Sequence, residues 1–315
     1  MFAAAIRAAL VCATAAYATN IVISNDDGWA TAQIRQQFDA LASSGHNVVL
    51  SAPAFNQSGK GSLSTTPATL DQPCQFDTCP TGSPAQGCNN TDSRLNYVNA
   101  YPVDAVRHGI ETIAPNVFDG SKPEFVVSGP NIGGNLGLVV LFSGTVGAAC
   151  EAARQGIPAV AFSGKSGSQV SYTTLESAPN APSSVSAHIY SELTTYFVDT
   201  LTSNAAPFLP DGVIVNVNYA SIDKCRDAAS YQWVFSRLIT NIFVEDVETC
   251  GSSHLPNEAS VVDSGCYASV SVISAHSKLD VNATLQGAVK DRLEGLPFTC
   301  LSRRRVASSP LFWNE

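Results

Sequence analysis

The feature that most constrains the fold is an alternation between short apolar segments and segments whose apolar residues recur at helical spacing. Residues 20–24 have the composition of a buried strand, and apolar residues at helical spacing over 34–41 then predict an amphipathic helix capped near Gly45. A second apolar segment at 46–52 predicts the next strand. Strand, helix and strand in this order indicate a parallel sheet, so the sequence predicts an α/β fold.

The alternation resumes after a long irregular segment. Residues 67–93 are rich in Pro, Gly and Cys and lack periodicity, which predicts an excursion held by disulfides. Beyond this segment the same two patterns recur. They predict strands at 125–128, 159–162 and 213–217 and helices at 144–155 and 185–201.

The last part of the chain has a different pattern. Strand-like runs at 233–239 and 267–273 are joined by irregular connections, which predicts a β-rich C-terminal extension from about residue 225. A chain of 315 residues is long enough for one large core and does not require two. We therefore predict one domain over 19–315, built on a doubly wound, mostly parallel sheet that carries this extension.

The first eighteen residues have the pattern of a secretory signal peptide. Residues 2–17 are apolar and Ala-rich, carry one charge at Arg7, and lead into an A-x-A-like cleavage site at 16–18. The apolar run is too short to span a bilayer. The alternative is a first helix of the domain. We predict a signal peptide over 1–18 and a secreted protein without membrane attachment.

The cysteine content agrees with export. Of nine cysteines, Cys12 lies in the predicted signal, which leaves the even number that disulfides in an oxidising compartment require. The sequence does not choose among their pairings. No C-x-x-C pair is present, which argues against structural zinc. Glycosylation sequons at Asn56, Asn89 and Asn282 are compatible with secretion.

The charge balance restricts the partners. The formal net charge of −9 opposes binding to a nucleic acid polymer, which relies on clustered Lys and Arg. The only basic run, at 303–305, is near the C-terminus and is typical of a solvated tail or a processing site. A small phosphorylated substrate remains compatible with this charge if a bound cation reverses the local field.

Four of the predicted strands lead into polar loops. These loops are N-D-D-G at 25–28, F-N-Q-S-G at 55–59, P-N-I-G-G-N at 130–135 and G-K-S-G at 164–167. Because loops at the carboxyl ends of parallel strands line one crevice, we expect two carboxylates, a hydroxyl and two amides to converge there. Oxygen ligands of this kind suit Mg²⁺ or Mn²⁺.

The adjacent carboxylates of Asp26 and Asp27 are the centre of this hypothesis. Two such carboxylates repel each other unless a cation neutralises them. The alternative is a helix N-cap followed by a solvated neighbour. Convergence with the other three loops favours the metal site.

The segment S-G-T-V-G at 143–147 opens the best predicted helix. A helix start offers unpaired N–H groups and a favourable dipole, so it can bind a phosphate. The alternative is an ordinary Ser N-cap. Nucleoside-triphosphate, dinucleotide and serine-esterase motifs are absent from the sequence. His276 lies near a predicted strand end, but a lone His is more often structural.

These motifs, in this order over residues 20–163, resemble the SurE family of survival-protein phosphatases and nucleotidases. The resemblance implies a Rossmann-like core with a swapped C-terminal extension and assembly as a homodimer or homotetramer. It also implies divalent-metal-dependent hydrolysis of nucleoside monophosphates and other phosphomonoesters. It maps the metal ligands onto Asp26, Asp27, Ser58 and Asn131. It maps the phosphate-binding residues onto Ser143, Gly144 and Thr145, with Asp26, Asp27 and Asn135 assigned to catalysis.

The chain departs from the family pattern around the site. Leu138 and Val139 stand where bacterial members often have acidic residues, Phe55 and Gln57 replace Arg-type residues, and W-A-T at 29–31 replaces H-A-P. These changes remove charge and leave the nucleotide preference open. Together with the signal and the cysteines they indicate a secreted, fungal-type branch. The alternatives to phosphomonoester hydrolysis are a secreted serine hydrolase and a non-catalytic, nucleotide-binding member of the family.

Overall fold

A computed structural model describes residues 18–301 of the chain. Its strands are β1 (Asn20–Ser24), β2 (Asn47–Pro53), β3 (Gln86–Cys88), β4 (Leu95–Val98), β5 (Phe125–Ile132), β6 (Ala159–Gly164), β7 (Val213–Tyr219), β8 (Gln232–Ser236) and β9 (Tyr267–Ser274). Its α-helices are α1 (Ala32–Ser43), α2 (Pro102–His108), α3 (Ala114–Val117), α4 (Gly144–Arg154), α5 (Thr174–Ser177), α6 (Pro182–Thr202), α7 (Glu258–Asp263) and α8 (Ala283–Arg292). A π-helical turn joins α2 to α3 at Gly109–Ile113, and 3₁₀ turns lie at Gln75–Asp77, Gly137–Leu141 and Ala228–Ser230.

All of these strands belong to one sheet, in the order β3-β4-β2-β1-β5-β6-β7-β9-β8. The six strands from β4 to β7 in this order are parallel, whereas β3 is antiparallel to β4 and β9 is antiparallel to β7. The chain leaves β1 for β2 on one side and later returns to β5 on the other. The switch point therefore lies between β1 and β5, and such sheets bind ligands beyond the carboxyl ends of the strands at that point.

Both faces of the sheet are covered, which explains why its central strands are apolar throughout. Ile21 and Ile23 belong to the apolar cluster that includes Phe38 of α1 and Phe197 of α6. Val22, which points the opposite way, belongs to the cluster formed with α4. Alternate residues of β1 thus hold the two helical layers against the sheet. This arrangement confirms the predicted α/β class with a mostly parallel, doubly wound sheet.

The predicted elements differ from the observed ones mainly in length and in number. The strand predicted at 125–128 continues to Ile132. The C-terminal extension adds β8 and β9 to the main sheet, together with α7 and α8, which the sequence pattern did not predict. Helix α7 has six residues, and α8 buries only Gln286 and Val289, so neither has a strong apolar stripe.

The sequence pattern predicts no strand or helix between residues 94 and 124, where the structure has β4, α2 and α3. Strand β4 has only four residues, all of them buried. Helix α2 begins at Pro102, a favoured first helical residue because its missing N–H would be unpaired there. The Asp104 carboxylate accepts a hydrogen bond from the Tyr101 N–H at 3.3 Å and fixes the start of this helix.

Six of the eight expected cysteines pair, as Cys74–Cys79, Cys225–Cys266 and Cys250–Cys300. Within residues 18–301, Cys88 and Cys150 form no disulfide, so the expectation drawn from the even count holds for three pairs only. Cys150 is buried in α4, and burial raises the pKa of its thiol to about 11. Residues 1–17 of the predicted signal peptide and the basic run at 303–305 lie outside the described residues. No helix within residues 18–301 is long and apolar enough to cross a membrane.

Candidate active site

The turn at residues 25–28 follows β1 directly and is closed by its own first residue. The Asn25 side chain donates to the Gly28 carbonyl at 3.1 Å and accepts from the Gly28 N–H at 3.2 Å. Gly28 has a φ of +106°, which favours glycine. Helix α1 begins at Ala32, and its N-cap position is Thr31, three residues after the turn has ended. The alternative reading of the carboxylates as a helix cap is therefore wrong.

Asp26 lies against the start of α4 and is 3% exposed. Its carboxylate accepts hydrogen bonds from the Thr145 N–H at 3.1 Å and from the Thr145 hydroxyl at 2.8 Å. A Cβ atom at Gly144 would lie 2.8 Å from the Asp26 Cβ, so only glycine permits this approach. The Ser143 hydroxyl caps the helix by accepting from the Val146 N–H at 3.0 Å. The fold thus brings the predicted phosphate-binding residues to the first carboxylate.

Asp27 is 1% exposed and is held from three other segments. Its carboxylate accepts hydrogen bonds from the Ile132 N–H at 2.7 Å and from the Gln169 side-chain amide at 2.5 Å. Its main-chain carbonyl accepts from the Gln75 side-chain amide at 2.8 Å. The last residue of β5 and segments that follow β2 and β6 therefore meet at this residue.

The two carboxylates have no cationic partner in the described part of the chain, where none of the ion pairs involves Asp26 or Asp27. Burial raises the pKa of Asp26. Burial, followed by repulsion from Asp26, raises the pKa of Asp27 well above its ordinary value. A divalent cation would reverse both effects, because it neutralises two adjacent carboxylates at once.

Asn131 completes the group of oxygen atoms at the switch point. Its side-chain oxygen lies 3.3 Å from the Thr145 hydroxyl, and its side-chain nitrogen donates to the Gly133 carbonyl at 2.6 Å. It follows an irregularity in the register of β5 and β6 that begins after Ser128. Within residues 18–301 no group of three or more His, Cys, Asp or Glu is placed to hold a metal. The donor set is therefore two carboxylates with amide and hydroxyl oxygens, which suits Mg²⁺ or Mn²⁺.

Asn135 is fixed by β6 and β7. Its side chain donates to the Ser163 hydroxyl at 2.8 Å, and its N–H donates to the Asn218 side-chain oxygen at 2.8 Å. Its carbonyl accepts from the side chains of Asn216 and Asn218, at 2.9 and 3.1 Å. Both the main chain and the side chain of this residue are thereby oriented before any ligand binds.

A buried glutamate supports the same loop from the C-terminal extension. The Glu258 carboxylate accepts from the Gly137 N–H at 2.6 Å, from the Asn216 side chain at 3.0 Å and from the Ser271 hydroxyl at 3.1 Å. Burial raises its pKa to about 8. The extension therefore contributes to the site indirectly, through the loop that carries Asn135.

Comparisons with known proteins identify the family of this chain. The family described as "Survival protein SurE" matches residues 21–243. The chain belongs to the SurE family. An acid phosphatase of Yarrowia lipolytica is 35% identical over 288 residues, which cover 81% of this chain and 79% of that protein. A 5'-nucleotidase SurE of Microcystis aeruginosa is 27% identical over 76% of this chain and 83% of its own. The crystal structure of the Aquifex aeolicus SurE protein has the same fold, with a TM-score of 0.57 and 22% identity over 86% of this chain and 98% of that one.

The family resemblance predicted from the motifs is thus confirmed. Among the metal ligands that this resemblance predicts, Ser58 is the one that the structure holds least firmly. Its loop reaches the site, because the Gln57 N–H donates to the Asp26 carbonyl at 2.7 Å. Ser58 itself is exposed, and its N–H and hydroxyl donate to the Asn56 side-chain oxygen at 2.8 and 2.7 Å. Its hydroxyl therefore bonds within its own loop, and its role as a SurE metal ligand stays a prediction.

The residues at which this chain departs from the SurE pattern differ in how exposed they are. Trp29 is buried and forms part of the core, so it does not line the crevice. Leu138, Val139 and Phe142, by contrast, are 56%, 54% and 68% exposed. They lie in the segment that joins Asn135 to the start of α4. The segment between Asn135 and α4 therefore exposes apolar side chains to solvent.

Sequence reasoning missed several residues that support the SurE site. Gln75 and Gln169 hold Asp27, whereas Glu258, Asn216 and Asn218 hold the Asn135 loop. No motif singles out these residues, and the only sequence signal is that Asn216 and Asn218 are polar within an otherwise apolar strand. His276 lies near Gly212, which precedes β7, so it is at the amino end of that strand, opposite to the carboxyl ends where the acidic residues lie.

Proposed function

We propose that this SurE protein hydrolyses small phosphomonoesters and releases inorganic phosphate, in a reaction that depends on one divalent cation, Mg²⁺ or Mn²⁺. The observation that carries the proposal is the buried pair Asp26 and Asp27, which has no cationic partner among residues 18–301 and lies against the start of α4. The names acid phosphatase and 5'-nucleotidase of its relatives support the same reaction class. We therefore assign the protein to the phosphoric monoester hydrolases.

The proposed cation ligands are Asp26, Asp27, Ser58 and Asn131. A cation bound there would withdraw charge from a phosphoryl oxygen and lower the pKa of a bound water. Thr145 and Ile132 hold the two carboxylates in fixed orientations. The chain thus fixes the orientation of both carboxyl groups through its own hydrogen bonds, which is the property that electrostatic preorganisation requires.

The proposed phosphate-binding residues are Ser143, Gly144 and Thr145, with Asn135 lining the site. They lie at the positive end of the α4 dipole, where main-chain N–H groups favour an anion. Water attacks phosphorus in line with the ester oxygen, the bond to that oxygen breaks, and the leaving oxygen receives a proton. One carboxylate of the pair orients the attacking water.

We further propose that the protein is secreted and forms a homodimer or a homotetramer. Three disulfides agree with an oxidising compartment. The loop after β8 exposes Ile242 and Phe243, at 69% and 92%, which is typical of a surface covered by another subunit. Light scattering of the purified protein distinguishes these assemblies from a monomer.

The reaction is tested with p-nitrophenyl phosphate and a panel of nucleoside monophosphates, with Mg²⁺ or Mn²⁺ and with EDTA. We expect turnover that EDTA abolishes and that added Mn²⁺ restores. Full activity in EDTA, or in Asp27→Ala, would contradict metal dependence. Labelling of the protein by a fluorophosphonate probe would instead support a serine hydrolase.

A further inference from the structure

The short loop closed by the Cys74–Cys79 disulfide contacts the turn at residues 25–28, which is called the acidic turn below. The loop spans residues 74–79 and is called the 74–79 loop below. Its two ends are joined by the disulfide and by a hydrogen bond from the Cys74 N–H to the Cys79 carbonyl at 2.8 Å. The Gln75 N–H donates to the Ala54 carbonyl at 3.1 Å, directly after β2. Cys74 is 2% exposed, so the loop is anchored in the core and not merely laid on the surface.

The Gln75 side chain links the acidic turn to the residues that follow it. Its amide nitrogen donates to the Asp27 carbonyl at 2.8 Å, and its amide oxygen accepts from the Ala30 N–H at 3.3 Å. A Cβ atom at Gly28 would lie 2.4 Å from that amide oxygen. Gly28 is therefore required twice, once by its backbone conformation and once to leave space for Gln75.

A second glutamine connects this contact to the carboxylate of Asp27. The Gln75 side-chain nitrogen lies 3.3 Å from the side-chain oxygen of Gln169, and the Gln169 nitrogen donates to the Asp27 carboxylate at 2.5 Å. Asp27 is thus oriented at its main chain by Gln75 and at its carboxylate by Gln169. The two amides also contact each other, so a change in one alters the position of the other.

We propose that Gln75 is a positioning residue for Asp27, and that the Cys74–Cys79 disulfide holds Gln75 in place and thereby sets the affinity of the site for its divalent cation. The inference rests on the proposed function, because it concerns the same metal site. Outer groups that orient metal ligands typically change metal affinity about 10- to 100-fold when they are removed. An amide is required at this position because it must donate to a carbonyl and accept from an N–H at once.

The experiment measures Mn²⁺ binding directly, by the electron paramagnetic resonance signal of free Mn²⁺, in wild type, Gln75→Ala and Gln75→Met. Gln75→Met keeps the length of the side chain and adds no charge, but removes the donor to the Asp27 carbonyl. We expect the Mn²⁺ dissociation constant to rise about 10- to 100-fold in both variants. Thermal unfolding in EDTA is recorded in parallel, since a purely structural role would lower the melting temperature and leave the dissociation constant unchanged.

Gln72→Ala is the matched control, because Gln72 is exposed and lies two residues before the 74–79 loop. We expect its Mn²⁺ affinity to equal that of the wild type. The paired substitution Cys74→Ser and Cys79→Ser is expected to weaken Mn²⁺ binding in the same direction as Gln75→Ala. The corresponding change at Cys225 and Cys266 is expected to leave Mn²⁺ affinity unchanged.

The outcomes separate the two proposals. A wild type that binds no Mn²⁺ and hydrolyses no phosphate ester would overturn the proposed function. A wild type that does both, with Gln75→Met binding Mn²⁺ equally well, would overturn only the role of Gln75. Unchanged binding in the paired cysteine variant would overturn the role of the disulfide.

Discussion

The turn at 25–28 and the loop at 56–58 are both expected to supply metal ligands, yet the fold treats them in opposite ways. Asp26 and Asp27 are 3% and 1% exposed, and each carboxylate accepts two hydrogen bonds from other segments. Ser58 is exposed, and both of its donors are satisfied inside its own loop. The buried half of this comparison, Asp26 and Asp27, is therefore fixed by the core, whereas the exposed half, Ser58, follows a residue whose main-chain N–H donates to the Asp26 carbonyl.

This difference indicates that the two segments contribute to different properties of the protein. Holding two buried carboxylates together costs free energy that the surrounding core must offset, so this part of the site is coupled to stability. An exposed serine costs almost nothing to place and can exchange its partner from Asn56 to a cation. The comparison thus predicts that substitutions in the turn change stability and activity together, whereas substitutions in the loop change metal affinity alone.

The largest effect is expected from Asp26→Asn, which tests the buried half. We expect kcat/KM for p-nitrophenyl phosphate to fall on the order of a thousandfold, because half of the anionic centre is lost. The free energy of unfolding in EDTA should rise by about 1 kcal/mol, because the substitution removes a buried charge and, with it, the repulsion of Asp27. The Thr145 hydroxyl can accept from the new amide and donate to the Asn131 oxygen, so the variant is expected to fold.

The matched control is Asp71→Asn, at an exposed position outside the proposed ligand set, for which neither quantity should change. Denaturant unfolding in EDTA and steady-state kinetics in Mn²⁺ measure the two effects separately. A loss of stability in Asp26→Asn would break the comparison, since it would mean that the carboxylate pair is not repulsive in the absence of metal.

A smaller effect is expected from Ser58→Ala, which tests the exposed half. We expect Mn²⁺ affinity to fall about tenfold while the free energy of unfolding in EDTA stays within roughly 0.5 kcal/mol of wild type. Isothermal titration with Mn²⁺ measures the first quantity. Ser58→Thr keeps both the hydroxyl and the sequon at Asn56, and the protein is produced without glycosylation so that the sequon has no influence. Lower stability with unchanged Mn²⁺ affinity would contradict the assignment of Ser58.

The contrast between the two loops also marks what sequence could predict. The convergence of Asp26, Asp27, Asn131 and the start of α4 was predictable, because parallel strands deliver their carboxyl ends to one edge and the N-D-D-G and S-G-T-V-G motifs stand at those ends. The central strands were predictable from their continuous apolar runs. These features depend on local pattern and on a general rule of sheet topology.

The residues that hold the site in place were not predictable in the same way. Gln75 and Gln169 contact Asp27 across sequence separations of 48 and 142 residues, and neither belongs to a periodic segment or a motif. Glu258 is separated from Gly137 by 121 residues. Such contacts depend on the path of irregular loops, which hydrophobic periodicity does not describe.

The last and smallest effect on activity is expected from Glu258→Gln, which sharpens the comparison by adding a third loop held by a titratable buried group. Burial raises the pKa of Glu258 from 4.5 to about 8, so between these values the folded protein binds a proton that the unfolded chain does not. The free energy of unfolding of the wild type should therefore fall as pH rises through this interval, by up to about 1.4 kcal/mol per pH unit from this group.

Glu258→Gln should flatten that slope, because the Gln side chain does not titrate, whereas the exposed control Glu176→Gln should leave the slope unchanged. Denaturant unfolding across the interval measures the slopes, and kcat/KM should change less than in Asp26→Asn, since Glu258 contacts the Asn135 loop and neither carboxylate of the pair. Equal slopes in wild type and Glu258→Gln would mean that Glu258 is ionised throughout, and that its three hydrogen bonds outweigh its burial.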